Sequence, residues 1–294
     1  MISLETPMLA QAPPAESIDW FKAVVIGIVQ GLTEFLPISS TAHVKVVPVL
    51  LGWGDPGVSF TAVIQLGSVA AILWYFWSDV STVTRNFLKA ASKQAFDSSD
   101  FRLGLGILLG TVPIIVAGMF IKLLVPDYDS SVVRSTGAIA ITSIVMAILL
   151  GLAEIVGRRK RDFAQLTMND GIGVGLAQAL ALVPGVSRSG STLTAGLFLG
   201  LKRETAARFS FLLGMPAILI SGLVSLTDVI GSDSAVGIFP LIAGLIAAVA
   251  SSYLAIAWLI EFLKRHSTWV FVWYRLAFGV VLLAAIATGK LANV

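Results

Sequence analysis

The chain has 294 residues, of which 56% are hydrophobic and only 13% charged, with a net charge of +3 and no cysteine. A soluble domain carries roughly 25% charged residues to solvate its exterior. Half that density, with a mean hydropathy of +0.91, makes lipid the solvent for much of the surface, and the absence of cysteine excludes disulfides and cysteine chemistry. The sequence pI of about 9.3 does not point to nucleic acid, because the basic residues sit in short runs between apolar stretches, where loop charge sets membrane orientation.

Residues 1–18 are polar and Pro-containing, with no basic region leading into an apolar run, and read as a flexible N-terminal tail rather than a cleavable signal peptide. Residues 19–294 read as a single membrane domain. Its first apolar stretch, Phe21–Gly52, is interrupted by Gln30, Glu34, Pro37, Ser39, Ser40, Thr41 and His43. The stretches Phe60–Trp77, Leu103–Val125 and Ser135–Val156 follow, each close to the ~20 residues a transmembrane helix needs. A second interrupted stretch, Leu166–Leu201, contains Gln178, Pro184, Gly185, Ser187, Arg188 and Ser189. Three further spans, Phe209–Ile230, Ile238–Phe262 and Val270–Thr288, complete the chain, and Trp74, Trp77, Trp269 and Trp273 sit at span ends as interfacial belts predict.

Neither interrupted stretch can cross as a plain helix. Proline removes a backbone donor, and a charge at mid-membrane is costly unless paired or hydrated. Irregular backbone persists at that depth only where protein or a wet cavity shields it. Both are therefore expected to be re-entrant helical hairpins. Arg85, Lys89, Lys93, Arg102, the run Arg158–Arg161, Lys202, Arg203, Arg208, Lys264 and Arg265 mark the cytoplasmic loops, while the loops holding Asp127, Asp129 and Asp233 fall outside. The first hairpin then enters from outside and the second from the cytoplasm.

The interrupted stretches also resemble each other. Gln30 and Gln178 are 148 positions apart, as are Ser39 and Ser187, and Pro37 and Pro184 are 147 apart. Each half, 19–156 and 157–294, would hold one hairpin and three crossings, and an odd number of crossings inserts the second half upside down. The expected fold is thus an all-α polytopic membrane protein with an inverted-topology repeat, six transmembrane helices and two re-entrant hairpins, whose site lies where the broken helices meet.

Gln30 and Glu34 share one helix face. The hydroxyls of Ser39, Ser40 and Thr41 follow Pro37 as a turn, and His43 completes a set that offers a carboxylate, a nucleophile and an acid/base within a short run. Each hydroxyl taken alone could simply satisfy carbonyls freed by the proline. An intramembrane carboxylate, in contrast, is a functional-site hypothesis by default. In the second hairpin, Pro184-Gly-Val-Ser187-Arg188-Ser189-Gly-Ser191-Thr192 reads as a small-residue turn before an apolar helix from Leu193, an arrangement suited to anions. Arg188 adds a planar fork matched to phosphate oxygens. His266, beside Lys264 and Arg265, reads as solvated. Arg275 reads as snorkelling or as paired with Glu261, and outside the site.

These two strings resemble the signature regions of the undecaprenyl-diphosphate phosphatase family, also called bacitracin-resistance proteins: Gln30-x-x-x-Glu34 with Ser39-Ser-Thr-Ala-His43, and Pro184-Gly-Val-Ser-Arg-Ser-Gly-Ser-Thr192. The resemblance covers essentially the chain after residue 18. One departure is Gln30, where many relatives carry Glu. The resemblance implies a multi-pass enzyme of the bacterial inner membrane with an outward-facing site, dependence on Mg²⁺ or Ca²⁺ held by Glu34, and recycling of the lipid carrier for cell-wall synthesis. It implies catalytic roles for Glu34, Ser40, His43 and Arg188. Gln30, Ser39, Thr41, Gln178, Ser187, Ser189 and Thr192 are expected around the substrate.

The expected reaction is hydrolysis of the terminal phosphoanhydride, with Ser40, His43 or water as the attacking group. The prenyl chain would stay in the bilayer, with Phe35 and Leu36 as lining. A secondary transporter or flippase for an anionic lipid or solute is the alternative that inverted repeats invite. Expected partners are the polyprenyl diphosphate and the bilayer, with a homodimer as an option and no role for nucleic acid.

Overall fold

A computed structural model describes residues 18–125, 128, 131–231 and 237–293, with backbone alone for 228–231. The tail up to residue 17 and the acidic loop residues Asp127, Asp129 and Asp233 lie outside the described residues. Eleven α-helices account for the described chain, and no strand occurs among those residues.

Each interrupted stretch is a pair of short helices around a break. Helix α1 (Trp20–Phe35) starts where the Asp19 carboxylate accepts from Lys22 N at 2.9 Å, and stops at an extended Leu36. Pro37 dictates that stop, because the residue before a proline is driven out of the helical region. Helix α2 (Ser40–Leu50) begins immediately beyond, with Ser39 as its N-cap. Ser40 and Thr41 therefore belong to the first turn of a helix rather than to an open turn. In the second stretch a capping box between Thr167 and Asp170 opens α7 (Met168–Ala179). A 3₁₀ turn and the Pro184-Gly185 break follow, and then α8 (Arg188–Phe198) with Ser187 as N-cap. That helix starts five residues before the Leu193 expected from sequence. Ser187 supplies the cap that permits this, accepting from Gly190 N at 3.1 Å.

Among the described residues, six other helices are long and apolar enough to cross a membrane: α3 (Val58–Tyr75), α5 (Ser99–Leu124), α6 (Thr136–Val156), α9 (Arg203–Gly231), α10 (Ile238–Arg265) and α11 (Trp269–Ala287). They fall where the apolar runs place them, so the chain is a multi-pass, all-α membrane protein. Trp74, Trp77 and Trp273 are all exposed, as interfacial anchors should be. One element departs from the sequence reading: the basic segment after Trp77 is not a loop but the amphipathic helix α4 (Trp77–Ser92). Its Asp79 accepts from Arg208 Nε at 2.6 Å, which pins it to the start of α9.

The two breaks match in backbone detail. Ser39 and Ser187 both adopt positive φ, 75° and 72°, and each caps the helix that follows. Non-glycine residues rarely accept that conformation, so its recurrence at equivalent positions marks equivalent breaks. Packing is exchanged between the halves as well: α1 lies against α10, and α7 against α5. At both crossings the backbones nearly touch. A Cβ on Gly27 would stand 2.3 Å from Gly244 O, and one on Gly175, 148 positions later, 2.2 Å from Gly110 O. Small residues at the crossing are what lets membrane helices approach so closely. At the end carrying the basic loops, buried Glu154 of α6 accepts from Arg203 Nε of α9 at 3.0 Å and from Thr268 Oγ1, just before α11, at 2.7 Å.

Candidate active site at the meeting of the two breaks

The two breaks are tied to each other by a residue the sequence reading set aside. Arg275 of α11 is 1% exposed and donates only to backbone carbonyls. Its Nη1 reaches Pro37 O in the first break and Val186 O in the second, both at 3.1 Å, while Nη2 reaches Gly185 O at 2.7 Å and Nε reaches Ser143 O at 3.2 Å. It neither snorkels nor pairs with Glu261, which is engaged by Lys264 and Arg265 at 3.0 Å each. A guanidinium can span both turns because its donors diverge in one plane. Ser189 adds a second tie, its Oγ donating to Leu36 O at 2.9 Å.

With the breaks joined, Glu34 and Arg188 meet although 154 residues separate them in sequence. Arg188 Nη2 donates to Glu34 Oε1 at 2.9 Å, and their side chains are 10% and 4% exposed. The other carboxylate oxygen, Oε2, accepts from Gln30 Nε2 and from Ser40 Oγ, both at 2.7 Å. The helical spacing supplies the Gln30–Glu34 contact, and the α2 N-terminus brings Ser40 back over the end of α1. Glu34 is thus held between a permanent cation and a hydroxyl that points its hydrogen at it.

Arg188 is seated by a missing side chain. A Cβ on Gly214 of α9 would lie 1.7 Å from Arg188 Nη1, so only glycine leaves room for the guanidinium. That Nη1 has no hydrogen-bond partner among the described residues, nor has Gln30 Oε1. Buried polar atoms are normally satisfied. An unpaired donor and an unpaired acceptor on either side of one carboxylate are what an absent anion and its counter-ion would complete.

His43 lies apart from this carboxylate in its bonding. Its Nδ1 meets Ser39 O at 2.7 Å, and a carbonyl only accepts, so the proton sits on Nδ1. Nε2 then accepts from Tyr274 OH at 2.6 Å, with the ring stacked against Tyr274 and Phe278. Tyr274 is a second site neighbour that spacing along the sequence does not reveal. His266 is exposed, as its charged neighbours suggest.

The remaining sequence candidates separate. Ser39 and Ser187 are caps, and the hydroxyls of Ser187 and Ser189 lie 3.2 Å apart. Thr192 is fully buried, donates to Arg188 O at 2.6 Å and touches Ser210 Oγ, so it fastens α8 to α9 rather than facing a ligand. Gln178 is fully buried, and neither its Nε2 nor its Oε1 has a hydrogen-bond partner among the described residues, so no hydrogen bond there joins it to the Glu34 cluster. Thr41 lines a separate cavity. Phe35 is buried edge-on to Phe211 at 5.0 Å and is unavailable to a lipid chain, whereas Leu36 is partly exposed.

Among the described residues no three His, Cys, Asp or Glu side chains cluster as a metal cage. Glu34 and the unpaired Gln30 Oε1 are nonetheless hard oxygen donors. They fit a Mg²⁺-type ion that takes one carboxylate from protein and further oxygens from a phosphate substrate.

Comparison with known proteins identifies the family of the chain. The family described as bacitracin resistance protein BacA matches residues 23–281. A protein of Trichormus variabilis named undecaprenyl-diphosphatase is 61% identical over 95% of this chain and 87% of its own length. Relatives of the same name from Synechococcus elongatus and a Synechocystis strain are 59% and 60% identical, over 98% and 93% of the chain and 100% and 84% of their own lengths. A match over that extent, carried by a chain whose two breaks converge on Glu34 and Arg188, places this protein in the bacitracin resistance protein BacA family.

Proposed function

We propose that the protein is a membrane phosphatase that hydrolyses undecaprenyl diphosphate to undecaprenyl phosphate and orthophosphate, returning the lipid carrier to cell-wall synthesis. The enzyme would work in the bacterial inner membrane with its site open to the external face, as the distribution of basic loops suggests. The observation that carries this reading is the divided carboxylate of Glu34, with a guanidinium on one oxygen and a serine hydroxyl on the other.

In the proposed reaction Ser40 Oγ attacks the terminal phosphorus while Glu34 Oε2 takes its proton. The bond from that phosphorus to the bridging oxygen breaks, and the lipid phosphate leaves. Glu34 passes that proton to the departing lipid phosphate. Water, deprotonated by the freed carboxylate, then cleaves the phosphoserine, and the proton returns through Glu34 to Ser40 Oγ as its bond to phosphorus breaks. The 2.7 Å contact favours Glu34 over His43 as the base, since His43 Nε2 is already occupied by Tyr274. Arg188 has a further part. At rest it pairs with Glu34; an arriving diphosphate offers it more negative charge, so the guanidinium transfers to the phosphate and frees Glu34 Oε1. Glu34 and Gln30 Oε1 would hold a Mg²⁺ or Ca²⁺ ion, whose charge when bound would offset that of the phosphate oxygens. The prenyl chain would remain in lipid, with partly exposed Leu36 near its entry.

A hydroxyl aimed at a carboxylate is more than a transport site requires, which favours the hydrolase over a transporter or flippase. The test is phosphate release from farnesyl diphosphate by purified protein in detergent, with and without chelator. Wild type should release phosphate and Arg188→Ala should not. Lipid transfer across vesicles without phosphate release would instead support the transport reading.

A further inference from the structure

Helix α4 begins at Trp77, and the span α3 before it ends at Tyr75, so no loop lifts α4 away from the end of that span. Two contacts hold it in place. Phe87 stacks on Phe101 at 5.2 Å and fills the space that Gly104 of α5 leaves open, and Asp79 is bound by Arg208 of α9. At about 100° per residue, Val80 and Val83 share the side of Phe87. Trp77 and Leu88 fall within about 20° of each other on a different edge, and they are 66% and 59% exposed, so the rest of the chain leaves them uncovered. Arg85 and Lys89 follow at about 80–120° round from Trp77, and Lys93 ends the helix.

These three cations are exposed, and their side chains make no hydrogen bond or ion pair among the described residues. Residues 77–102 are all described, and their carboxylates are engaged elsewhere. Asp79 is held by Arg208, and Asp97 pairs with Arg102 at 2.7 Å. Asp100 stands in the first turn of α5, at the positive end of that helix. Glu204, in the first turn of α9, faces the charge of Arg203. The positive edge of α4 therefore has no internal counter-charge.

An exposed apolar edge beside a row of Lys and Arg is the pattern of a helix lying in the plane of an anionic leaflet. Trp74, three residues before Trp77, is exposed as well, as expected where a span meets its interface. We propose that the outer edge of α4 binds the headgroups of anionic phospholipids, with Trp77 and Leu88 at the acyl boundary and Arg85, Lys89 and Lys93 at headgroup level. This site is separate from the Glu34–Arg188 cluster and does not depend on the reaction proposed there.

The test reconstitutes the full-length protein in phosphatidylcholine bilayers, with a minor share of the lipid replaced by brominated phosphatidylglycerol or by brominated phosphatidylcholine. Bromine quenches tryptophan on contact, and subtracting the signal of Trp77→Phe isolates Trp77. Each cation near an anionic surface strengthens association about fivefold. The anionic lipid should therefore quench Trp77 at a fraction at least about fivefold lower than the zwitterionic lipid does. Combining Arg85→Gln, Lys89→Gln and Lys93→Gln should bring the two lipids within about twofold. Salt gives a second readout that does not need the triple variant. Between 0.1 M and 1 M the Debye length falls from about 10 Å to about 3 Å, and the preference should shrink at least about threefold. Equal quenching by the two lipids, or a preference that survives the triple substitution or high salt, would overturn the proposal. Absence of quenching by either lipid would overturn it too, because it would place Trp77 in water or against another copy of the chain.

Discussion

Replacing Arg275 by methionine tests whether the two breaks are joined as described. The substitution preserves an unbranched side chain of similar reach and removes all four guanidinium bonds, to Pro37, Gly185, Val186 and Ser143. Bonds from a charged donor contribute roughly 1.5–3 kcal/mol each. The low end of that range puts the gross loss on the order of 6 kcal/mol, and no longer burying a guanidinium recovers part of it. A net loss of about 3–5 kcal/mol is expected. Because three of the four carbonyls belong to the breaks, the Glu34–Arg188 contact should loosen together with the fold. The assay is equilibrium unfolding in mixed micelles with phosphate release measured on the same preparation; both should fall, and Arg275→Lys should rescue little, since one ammonium cannot span two turns. If Arg275 only reached for lipid headgroups, methionine would cost well under ~1 kcal/mol and leave kcat intact. That result would refute the clamp.

Glu34→Gln should lower kcat at least about a hundredfold, the scale of a lost general base, while the protein still folds; activity within about threefold of wild type would remove Glu34 from that role. Gly214→Ala should displace the Arg188 guanidinium and cost more than about tenfold in kcat/KM, measured by phosphate release, whereas Gly118→Ala, whose Cβ would meet its nearest neighbour at an ordinary 3.7 Å, should be near neutral. At the foot of α7, burial pushes the Asp170 carboxyl up, but the Arg161 hydrogen bonds and those of Thr167 outweigh it and hold the carboxyl below its usual range. Its folded value is depressed, so its stabilisation is present above about pH 4 and is lost as pH falls through the lower folded value. Thermal unfolding from pH 7 to pH 3 should therefore show a smaller acid-induced drop in Tm for Asp170→Asn than for wild type.

The membrane spans were legible because lipid demands long apolar runs, and the breaks because Pro37 and Pro184 interrupt such runs beside charged residues. The Gln30–Glu34 contact followed from helical spacing alone. Helix α4 was hidden by its charges, which read as a loop although Trp77, Val80, Thr84 and Phe87 recur at helical intervals. The contacts of Arg275 were not readable in spacing at all, since its acceptors are carbonyls 89 to 238 positions away. A general signal existed nonetheless, because an arginine inside a span is a functional candidate before it is a snorkelling one. Tyr274 gave no such signal, because a tyrosine near a span end is ordinary. Several hydroxyls that look alike in sequence proved to differ in task. Ser39 and Ser187 cap helices at strained positions and Thr192 braces α8, while Ser40 alone meets the carboxylate.

The measurement that bears most directly on the account is kcat for Ser40→Ala with farnesyl diphosphate, on protein shown to unfold like wild type. If Ser40 attacks phosphorus with Glu34 as its base, loss of the hydroxyl should reduce kcat by roughly three orders of magnitude or more. Retention of more than about a tenth of wild-type kcat would contradict a nucleophilic serine.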